Sequence, residues 1–426
     1  MPGSGRFSGR LAVLREPNYR RLFLGRTTSL VGDGIAPLAI AFAVLDLTGS
    51  PTDLGIVLAA HSLVITALIL VGGVFADRIS PRLAMLRADL TRMVSTGILA
   101  ALLLTRVAEI WQLAALYAIN GAATAFFNPA SNAIVPQIVP GRRLQEANAL
   151  LNLSRAAGKV AGPALAGVLL ALGSPGAALA LDAATFAVSA ACLLGVRAPR
   201  VRAPEEISAF VAELRQGWRE FSSRSWLIAI IASAAISNAL FSPAFAVLGP
   251  TVASEHLGGS SAWALIAATW GVGGMVGGAL ALGVRPRRPL LVGEGFIVIF
   301  ALPVALLAIP AATVPIALGA LVGGTAIGLG EVLYDTTTAQ QVPQEALSRV
   351  LAYDWFGSLA LEPLGLLLIG PVAAGIDVSS TLWLVATAVT LCQAAVLLVP
   401  SVRRLEARPD STGPVTPPPR PIGVGD

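Results

Sequence analysis

Charged side chains inside long apolar runs are the residues of this chain best suited to carry chemistry. Asp33 and Glu362 fall well inside such runs, and Glu331 lies at an intermediate depth in another. A carboxyl group that alternates between an apolar cavity and a nearby cation can pick up and release a proton. We therefore take Asp33 first, and then Glu331 and Glu362, as the proton-coupling candidates.

Polar residues at helical spacing accompany these acids. Arg26 precedes Asp33 by seven residues on the same helix face, and Lys159 is the only lysine of the chain. Lys159 could bind an anionic substrate or neutralise Asp33, and Asp33 could equally form a structural ion pair with Arg26. The candidates for lining a substrate cavity are Arg26, Asn120, Thr124, Asn128, Asn152 and Lys159.

Three further titratable residues are expected to be structural. Asp182, Glu294 and His61 lie near the ends of apolar runs or in runs that are otherwise almost wholly apolar. We expect their side chains to be satisfied by neighbouring groups.

The elements that must position these side chains are membrane helices. The chain has 426 residues, of which 55% are hydrophobic and 12% charged, and its mean hydropathy is +0.76. A soluble domain carries about 25% charged residues, so soluble globular classes are excluded. The 43 Gly and 29 Pro, with only 6% aromatic residues, indicate closely packed and locally bent helices.

Twelve apolar runs are long enough to span a membrane, since a spanning helix needs roughly 20 residues. Residues 1–17 lack the apolar core of a signal peptide, so the first run is expected to be an uncleaved span. The predicted spans are 20–46, 53–75, 83–105, 110–134, 147–172, 177–196, 226–252, 261–283, 289–309, 313–338, 349–374 and 379–400.

The spans divide six and six around a charged interruption. We predict an N-terminal six-helix bundle at 1–196, a cytoplasmic linker with a short interfacial helix at 197–225, a C-terminal six-helix bundle at 226–400 and a disordered cytoplasmic tail at 401–426. The predicted fold class is an all-α membrane protein of twelve transmembrane helices in two pseudo-symmetric bundles.

An internal repeat supports this division. Gly121, Gly162 and Gly167 recur as Gly324, Gly365 and Gly370 at an offset of about 203 residues. Two halves related by parallel repetition are an architecture of secondary transporters, with the substrate path between the halves.

The basic residues predict the orientation. Of the 29 Lys and Arg residues, only Arg106 falls in a loop on the side opposite the chain termini. Cytoplasmic loops accumulate basic residues, so both termini are expected in the cytoplasm of a multi-pass protein of the inner, or plasma, membrane. The same distribution argues against nucleic acid as a partner, because the positive excess lies beside anionic lipid headgroups.

The loop after the second span carries a recognisable motif. It reads Gly73-Val-Phe-Ala-Asp77-Arg78-Ile-Ser80-Pro-Arg82. It resembles the signature loop of the major facilitator superfamily, with Ser80 in place of the usual Gly. The resemblance implies a cytoplasmic gating loop formed by Gly73, Asp77, Arg78 and Arg82, whose charges latch the cytoplasmic side. Topogenic arginines are the alternative interpretation.

A glycine motif lies in the fifth span. Gly158, Gly162, Pro163 and Gly167 resemble the Gly-Pro motif typical of proton-coupled exporters in the same superfamily. Generic close packing of small residues explains the pattern equally well when it is taken alone.

Four stretches narrow the resemblance to one branch. They are Gly32-Asp33-Gly34, Leu47-Thr-Gly-Ser50, Phe126-Phe-Asn-Pro-Ala130 and Leu144-Gln-Glu-Ala-Asn148. Together they resemble the efflux branch that includes enterobactin-type siderophore exporters and macrolide efflux pumps. The arginine that some drug-exporter branches carry in the fourth span is replaced here by Asn120-Gly121, so a mechanism that depends on it is not transferred.

The resulting hypothesis is a transporter that exports amphipathic small molecules by alternating access, driven by a proton gradient and using no cofactor. We expect a functional monomer whose partners are the substrate and membrane lipid. A facilitator or proton symporter for uptake is the first alternative. An intramembrane lipid-acting enzyme is a remote second, because the sequence has no His-Glu-x-x-His motif and no Cys/His ligand set.

Overall fold

The computed structural model describes residues 12–76, 80–197, 207–309 and 312–407, and every regular element in these residues is helical. Short 3₁₀ turns at Ala12–Arg15 and Gly141–Arg143 precede α1 and α5. The helices are α1 (Pro17–Thr48), α2 (Pro51–Ala76), α3 (Pro81–Leu104), α4 (Ile110–Ile138), α5 (Leu144–Leu172), α6 (Pro175–Leu194), α7 (Ile207–Ser222), α8 (Ser225–Leu257), α9 (Ser260–Ala281), α10 (Pro289–Ile297), α11 (Leu302–Ala308), α12 (Thr313–Gln341), α13 (Gln344–Leu359), α14 (Glu362–Ile376), α15 (Val378–Val396) and α16 (Pro400–Arg404).

Eleven spans among the described residues are long and apolar enough to cross a membrane. The one predicted span that is not among these eleven is the third, which corresponds to α3, whose 24 residues cover about 36 Å at 1.5 Å per residue. Four charged residues, Arg82, Arg87, Asp89 and Arg92, make α3 less apolar than the other spans. The all-α membrane fold is confirmed, and α3 is the helix whose charges need partners inside the protein.

Three predicted spans are irregular rather than straight helices. The helix α8 contains π-helical turns at Ala244–Leu248 and Ala253–Leu257. The ninth span is interrupted between α10 and α11, and the eleventh between α13 and α14, where Pro363 lacks the N–H that would continue the ladder. The side-chain amide of Asn238 on α8 donates to the carbonyl oxygen of Ser358 next to this break, at 3.0 Å.

The repeated glycines make equivalent helix contacts in the two halves, which confirms the predicted pseudo-symmetry. In the first half Gly162 on α5 packs against Gly34 on α1, and in the second half Gly365 on α14 packs against Ala239 on α8. The pairing of the first and fifth spans therefore recurs as that of the seventh and eleventh. Small residues allow this close approach of helix backbones.

The same repeat explains how the halves join. Gly167 on α5 packs against Ala264 on α9, and Gly370 on α14 packs against Thr52 on α2. Each half thus contributes one glycine to a seam with the other half, and the two seams, α5 with α9 and α14 with α2, are related by the internal repeat.

The apolar core shows that the two ends of the bundle differ. We call the end where α1 begins and α15 ends the terminal end, and the opposite one the far end. One large cluster of buried residues includes Ile40 and Leu54 of the first half together with Trp263 and Leu366 of the second. At the terminal end the halves have separate clusters, one around Phe127 and another around Trp226. The halves are therefore packed together at the far end and separate at the terminal end.

The helix α7 lies in the segment that the sequence assigns to the linker. The Trp218 and Tyr353 rings meet edge to face at 5.5 Å, so this helix packs against α13 of the second half. Residues 198–206 of the linker and 408–426 of the tail lie outside the described residues. The interfacial position of α7 stays a prediction.

Replacing Gly162 by Ala should destabilise the first half. A Cβ at this position would lie 2.5 Å from the Gly34 Cα, so α1 and α5 would have to separate, at a cost of about 1–3 kcal/mol. Gly278→Ala on α9 is the matched control, because its Cβ would meet nothing within 4 Å and the substitution should stabilise by about 0.5–1 kcal/mol. Thermal unfolding in detergent measures both changes, and equal shifts would contradict the close approach.

Candidate functional site

Asp33 is held in place by two glycines that let neighbouring helices touch α1. A Cβ on Gly32 would collide with the Asp182 carboxylate and with Thr185 on α6. A Cβ on Gly34 would lie 2.8 Å from the Gly158 carbonyl oxygen on α5. The helices α6 and α5 therefore pack closely against α1 on either side of Asp33.

An ion pair with Arg92 on α3 determines the surroundings of Asp33. Arg92 Nη1 lies 3.2 Å from Asp33 Oδ1, and Arg92 Nη2 lies 2.5 Å from Asp89 Oδ1 one turn earlier on α3. The side chain of Arg92 is 1% exposed and that of Asp89 is fully buried, whereas that of Asp33 is 36% exposed. Asp33 is the member of this triad that solvent can reach.

The buried part of the triad is further fixed by aromatic and hydroxyl groups. The Arg92 guanidinium carbon lies 4.2 Å from the centre of the Phe127 ring and 4.4 Å from that of Phe186. Ser189 on α6 donates to Asp89 Oδ2 at 2.6 Å. Cation–π contacts of this kind are worth about 2 kcal/mol or more when they are desolvated. They orient a guanidinium whose Nε is buried without a hydrogen-bond partner.

Asp33 thus pairs with Arg92 rather than with Arg26 or Lys159, the two cations suggested by the sequence. Arg26 is 6% exposed, stacks over Phe127 at 4.6 Å and makes only a long 3.4 Å hydrogen bond, to Asn128. It adds positive charge near Asp33 without forming an ion pair within 4.0 Å. The helical spacing of Arg26 and Asp33 is real, but the charged partner comes from α3.

Asp182 completes this group, which we call the Arg92 cluster: Arg26, Asp33, Asp89, Arg92 and Asp182. The Asp182 side chain is fully buried beside Gly32, and its Oδ2 has no hydrogen-bond partner. The expectation that Asp182 is satisfied is therefore wrong. His61 does meet its expectation, because its Nδ1 lies 2.9 Å from the Tyr117 carbonyl oxygen.

Three polar candidates, two of the first half and one of the second, have exposed side chains. Asn152 and Lys159 on α5 and Glu331 on α12 are exposed. Lys159 and Glu331 attract each other electrostatically across the halves. Arg155 donates hydrogen bonds within the first half, to Asn152 Oδ1 at 2.9 Å and to Asn132 Oδ1 at 3.0 Å. Among the described residues no ion pair within 4.0 Å joins Lys159 to Asp33, whose partner is Arg92.

Glu362 lies at the contact between α2 of the first half and α14 of the second half. Its Oε1 accepts a 2.5 Å hydrogen bond from Ser242 on α8, and its Oε2 accepts a 3.4 Å bond from Ser62 on α2. The carboxylate therefore contacts both halves. Its position at the first turn of α14 follows from the break before Pro363, and the positive end of a helix dipole favours an acid there.

The remaining cavity candidates lie on α4. Asn128 is exposed, whereas Asn120 is 7% exposed and donates to Thr96 Oγ1 on α3 at 3.1 Å. Thr124 is half-buried and donates to the Asn120 carbonyl oxygen at 3.0 Å. Asn120 therefore forms a hydrogen bond between α3 and α4. Of the three candidates on this helix, Asn128 has the exposed side chain.

The motif after α2 is described only in part. Asp77 and Arg78 lie outside the described residues, and Gly73 belongs to α2 but its surroundings are not described. Arg82 donates to the carbonyl oxygens of Leu193 and Leu194 at the end of α6, at 2.9 and 2.8 Å. Ser80 has φ −55° and caps α3 by accepting from the Leu83 N–H, which explains why glycine is not required there.

Sequence reasoning missed Asp89 and Arg92 and misjudged Asp182. Arg92 and Asp89 are three residues apart on one helix, a spacing at which opposite charges can pair. Two opposite charges one turn apart inside the least apolar span could have been recognised as a buried pair. No spacing within one helix could have revealed that Asp33 and Asp182 join them.

The comparison with known proteins decides the family. The sequence description of the Major Facilitator Superfamily matches residues 22–360. The chain belongs to this superfamily. It is therefore a multi-pass membrane transporter, and the expectation of a transporter rather than an enzyme rests on this membership.

Several relatives of the transporter are efflux proteins. The multidrug efflux pump Tap of Mycolicibacterium fortuitum is 26% identical over 92% of this chain and 98% of its own length. Macrolide efflux protein A of Streptococcus pyogenes is 23% identical over 62% of this chain. The MFS-type transporter YfiS of Bacillus subtilis is 27% identical over 46% of this chain. The last two matches span 66% and 47% of those relatives.

Solved structures agree on the fold of the transporter. The nucleoside transporter NupG superposes with a TM-score of 0.69 at 14% identity, covering 91% of this chain and 99% of that one. A bacterial homologue of the human lysosomal transporter Spinster, described as inward-facing and unoccupied, superposes with a TM-score of 0.70 at 16% identity, covering 94% and 98%.

Replacing Arg92 by Gln should strongly destabilise the transporter, because it leaves the Asp89 carboxylate buried without a counter-charge. Breaking a buried ion pair in this way costs about 3–5 kcal/mol. Arg26→Gln is the matched control, since Arg26 is also buried but has no ion pair, and it should cost clearly less. Adding Asp89→Asn to Arg92→Gln should restore part of the loss. Unfolding in detergent measures all four proteins, and equal losses for the two arginines would contradict the assignment.

Proposed function

We propose that the transporter exports amphipathic small molecules across the plasma membrane in exchange for protons. The observation that carries this proposal is the Arg92 cluster, in which a 36% exposed carboxylate is paired with a fully buried guanidinium. A proton arriving at Asp33 cancels its attraction to Arg92, and ionisation restores it. The energy of the proton gradient can enter the protein at this residue without any cofactor.

Alternating access supplies the second part of the mechanism. The halves pack together at the far end and separate at the terminal end. A half-to-half rocking that reverses this arrangement exposes the same cavity to the other side of the membrane. Glu362, bonded to Ser62 and Ser242, and Glu331, opposite Lys159, lie where the two halves meet and are the further proton candidates.

The orientation follows from the basic residues. With both termini in the cytoplasm, the cavity opens to the cytoplasm and the structure is an inward-open state. Nucleic acid and metal partners are not proposed, and a monomer contains both halves of the cavity.

The substrate class rests on the cavity and on the relatives. Asn128, Asn152 and Lys159 are exposed polar side chains in a chain that is 55% hydrophobic, and an amphipathic organic molecule requires both kinds of surface. Proteins similar to this chain are named for macrolide and multidrug efflux. Uptake by a facilitator or symporter remains the alternative function for the same fold.

Asp33→Asn should abolish proton coupling. In liposomes with an imposed pH gradient, the wild-type protein should accumulate a radiolabelled macrolide, whereas Asp33→Asn should only equilibrate it, because an amide takes up no proton. Asp53→Asn, near the start of α2 at the far end, is the matched control and should accumulate it normally. Macrolide accumulation by the wild type that ignores the gradient would contradict proton coupling. Normal accumulation by Asp33→Asn would move the role to Glu331 or Glu362.

Thiol labelling should establish the orientation. In a background with Cys192 and Cys392 replaced by Ser, a membrane-impermeant maleimide should label Asn152→Cys in inside-out vesicles and not in intact cells. Thr105→Cys, exposed at the far end, should show the opposite pattern. Labelling of Asn152→Cys from the outside alone would reverse the orientation proposed here.

A further inference from the structure

Two aspartates of the first half are equally buried but differ in their partners. Asp89 and Asp182 are both 0% exposed. Asp89 receives Arg92 Nη2 at 2.5 Å and Ser189 Oγ at 2.6 Å. Asp182 has a single contact, from Thr185 Oγ1 to its Oδ1 at 3.5 Å, and that hydroxyl donates at 2.7 Å to the Asp182 carbonyl oxygen instead.

The difference decides the charge of each group. An ionised carboxylate taken out of water costs several kcal/mol unless it is paired and hydrogen-bonded, which Asp89 is and Asp182 is not. An unsatisfied neutral polar group costs only about 1–3 kcal/mol. The structure is therefore compatible with an ionised Asp89 and with a neutral Asp182.

The charge balance of the Arg92 cluster leads to the same result. Three acids, Asp33, Asp89 and Asp182, face two arginines, Arg26 and Arg92. If all five were ionised, they would carry one excess negative charge, which one proton on the acids removes. Arg155, which also acts on Arg26, is bonded to Asn152 and Asn132 and lies outside this cluster. Among the described residues Asp182 is the acid of this cluster with no ion pair within 4.0 Å and no short hydrogen bond, and so it is where that proton belongs.

The neighbours of Asp182 connect it to Asp33. Its carboxylate packs against Gly32, the residue before Asp33. The groups that face it are Asp33 from α1, Arg92 from α3, the Tyr117 phenol from α4 and Thr185 on its own helix. Asp33 is the one of these with substantial exposure, so it is the route by which a proton can enter or leave.

We propose that Asp182 is a second proton-binding residue of the transporter, protonated in this state and exchanging its proton with the cavity through Asp33. In the exchange an O–H bond of Asp182 breaks and one on Asp33 forms, so that the negative charge moves from Asp33 to Asp182. No hydrogen bond joins the two carboxyl groups in this state, so the transfer requires the contact between α1 and α6 at Gly32 to shift and bring them together. The proposal deepens the proton-coupled function above and rests on it for its role in transport.

Infrared difference spectroscopy tests the proposal without a substrate. At neutral pH the wild-type protein should show the carbonyl band of a protonated carboxyl group, and Asp182→Asn should lack it. Glu294→Gln on α10, a buried acid outside the Arg92 cluster, is the matched control and should keep the band. In D2O the band should shift in the wild type, and the shift should be slowed in Asp33→Asn.

Three results would overturn the proposal: the band persists in Asp182→Asn, it never shifts in D2O, or it shifts equally fast in Asp33→Asn. If Asp182→Asn does not fold, Thr185→Ala provides the assignment, because loss of the hydroxyl that contacts Asp182 Oδ1 should move the band of Asp182, and an unmoved band would contradict it. A wild type whose macrolide flux ignores the gradient would remove the proposed function and leave this protonation result standing.

Discussion

The burial of Arg92 is the constraint on which the rest of the first half depends. A guanidinium that is 1% exposed inside a membrane protein must be surrounded by compensating groups, and the structure provides Asp89, Asp33 and the faces of Phe127 and Phe186. These groups come from α1, α3, α4 and α6, so one buried cation connects four helices. Moving any of them away would leave a charge uncompensated.

Close helix packing at glycines completes the surroundings of Asp33. Gly32 lets α6 pack closely against α1, and Gly34 lets α5 do so on the other side of Asp33. On α5 the residues in contact with Gly34 are Gly158 and Gly162. The motif in the fifth span thus positions a carboxylate that it does not itself contain. Gly167, at the end of the same motif, instead contacts Ala264 in the other half. One helix therefore connects the packing around Asp33 to the seam between the two halves.

Much of the fold could be predicted from the sequence, because membrane spans are long and their signal is strong. The repeat that relates Gly162 to Gly365 and Gly167 to Gly370 predicted two related halves, and the structure shows which helices these glycines bring together. The site could be predicted only in part. Asp33 stood out because a charge in an apolar run is costly, but Arg92 and Asp89 lie in a span with four charges, where no single one is conspicuous. Pairing between α1, α3 and α6 depends on tertiary packing, which spacing along one helix does not encode. The motif after α2 shows that a departure from a family pattern can have a local explanation. Ser80 stands there in place of glycine, and its side chain caps α3.

The central claim is that the ionisation of Asp33 controls which side of the membrane the cavity faces. The most direct measurement is the distance between spin labels on Asn152→Cys and Thr336→Cys, which are exposed on α5 and α12 of opposite halves, as the pH is lowered. The account predicts that the distance distribution shifts with pH in the otherwise unaltered protein and that Asp33→Asn removes the shift. An identical pH response in both proteins would contradict it.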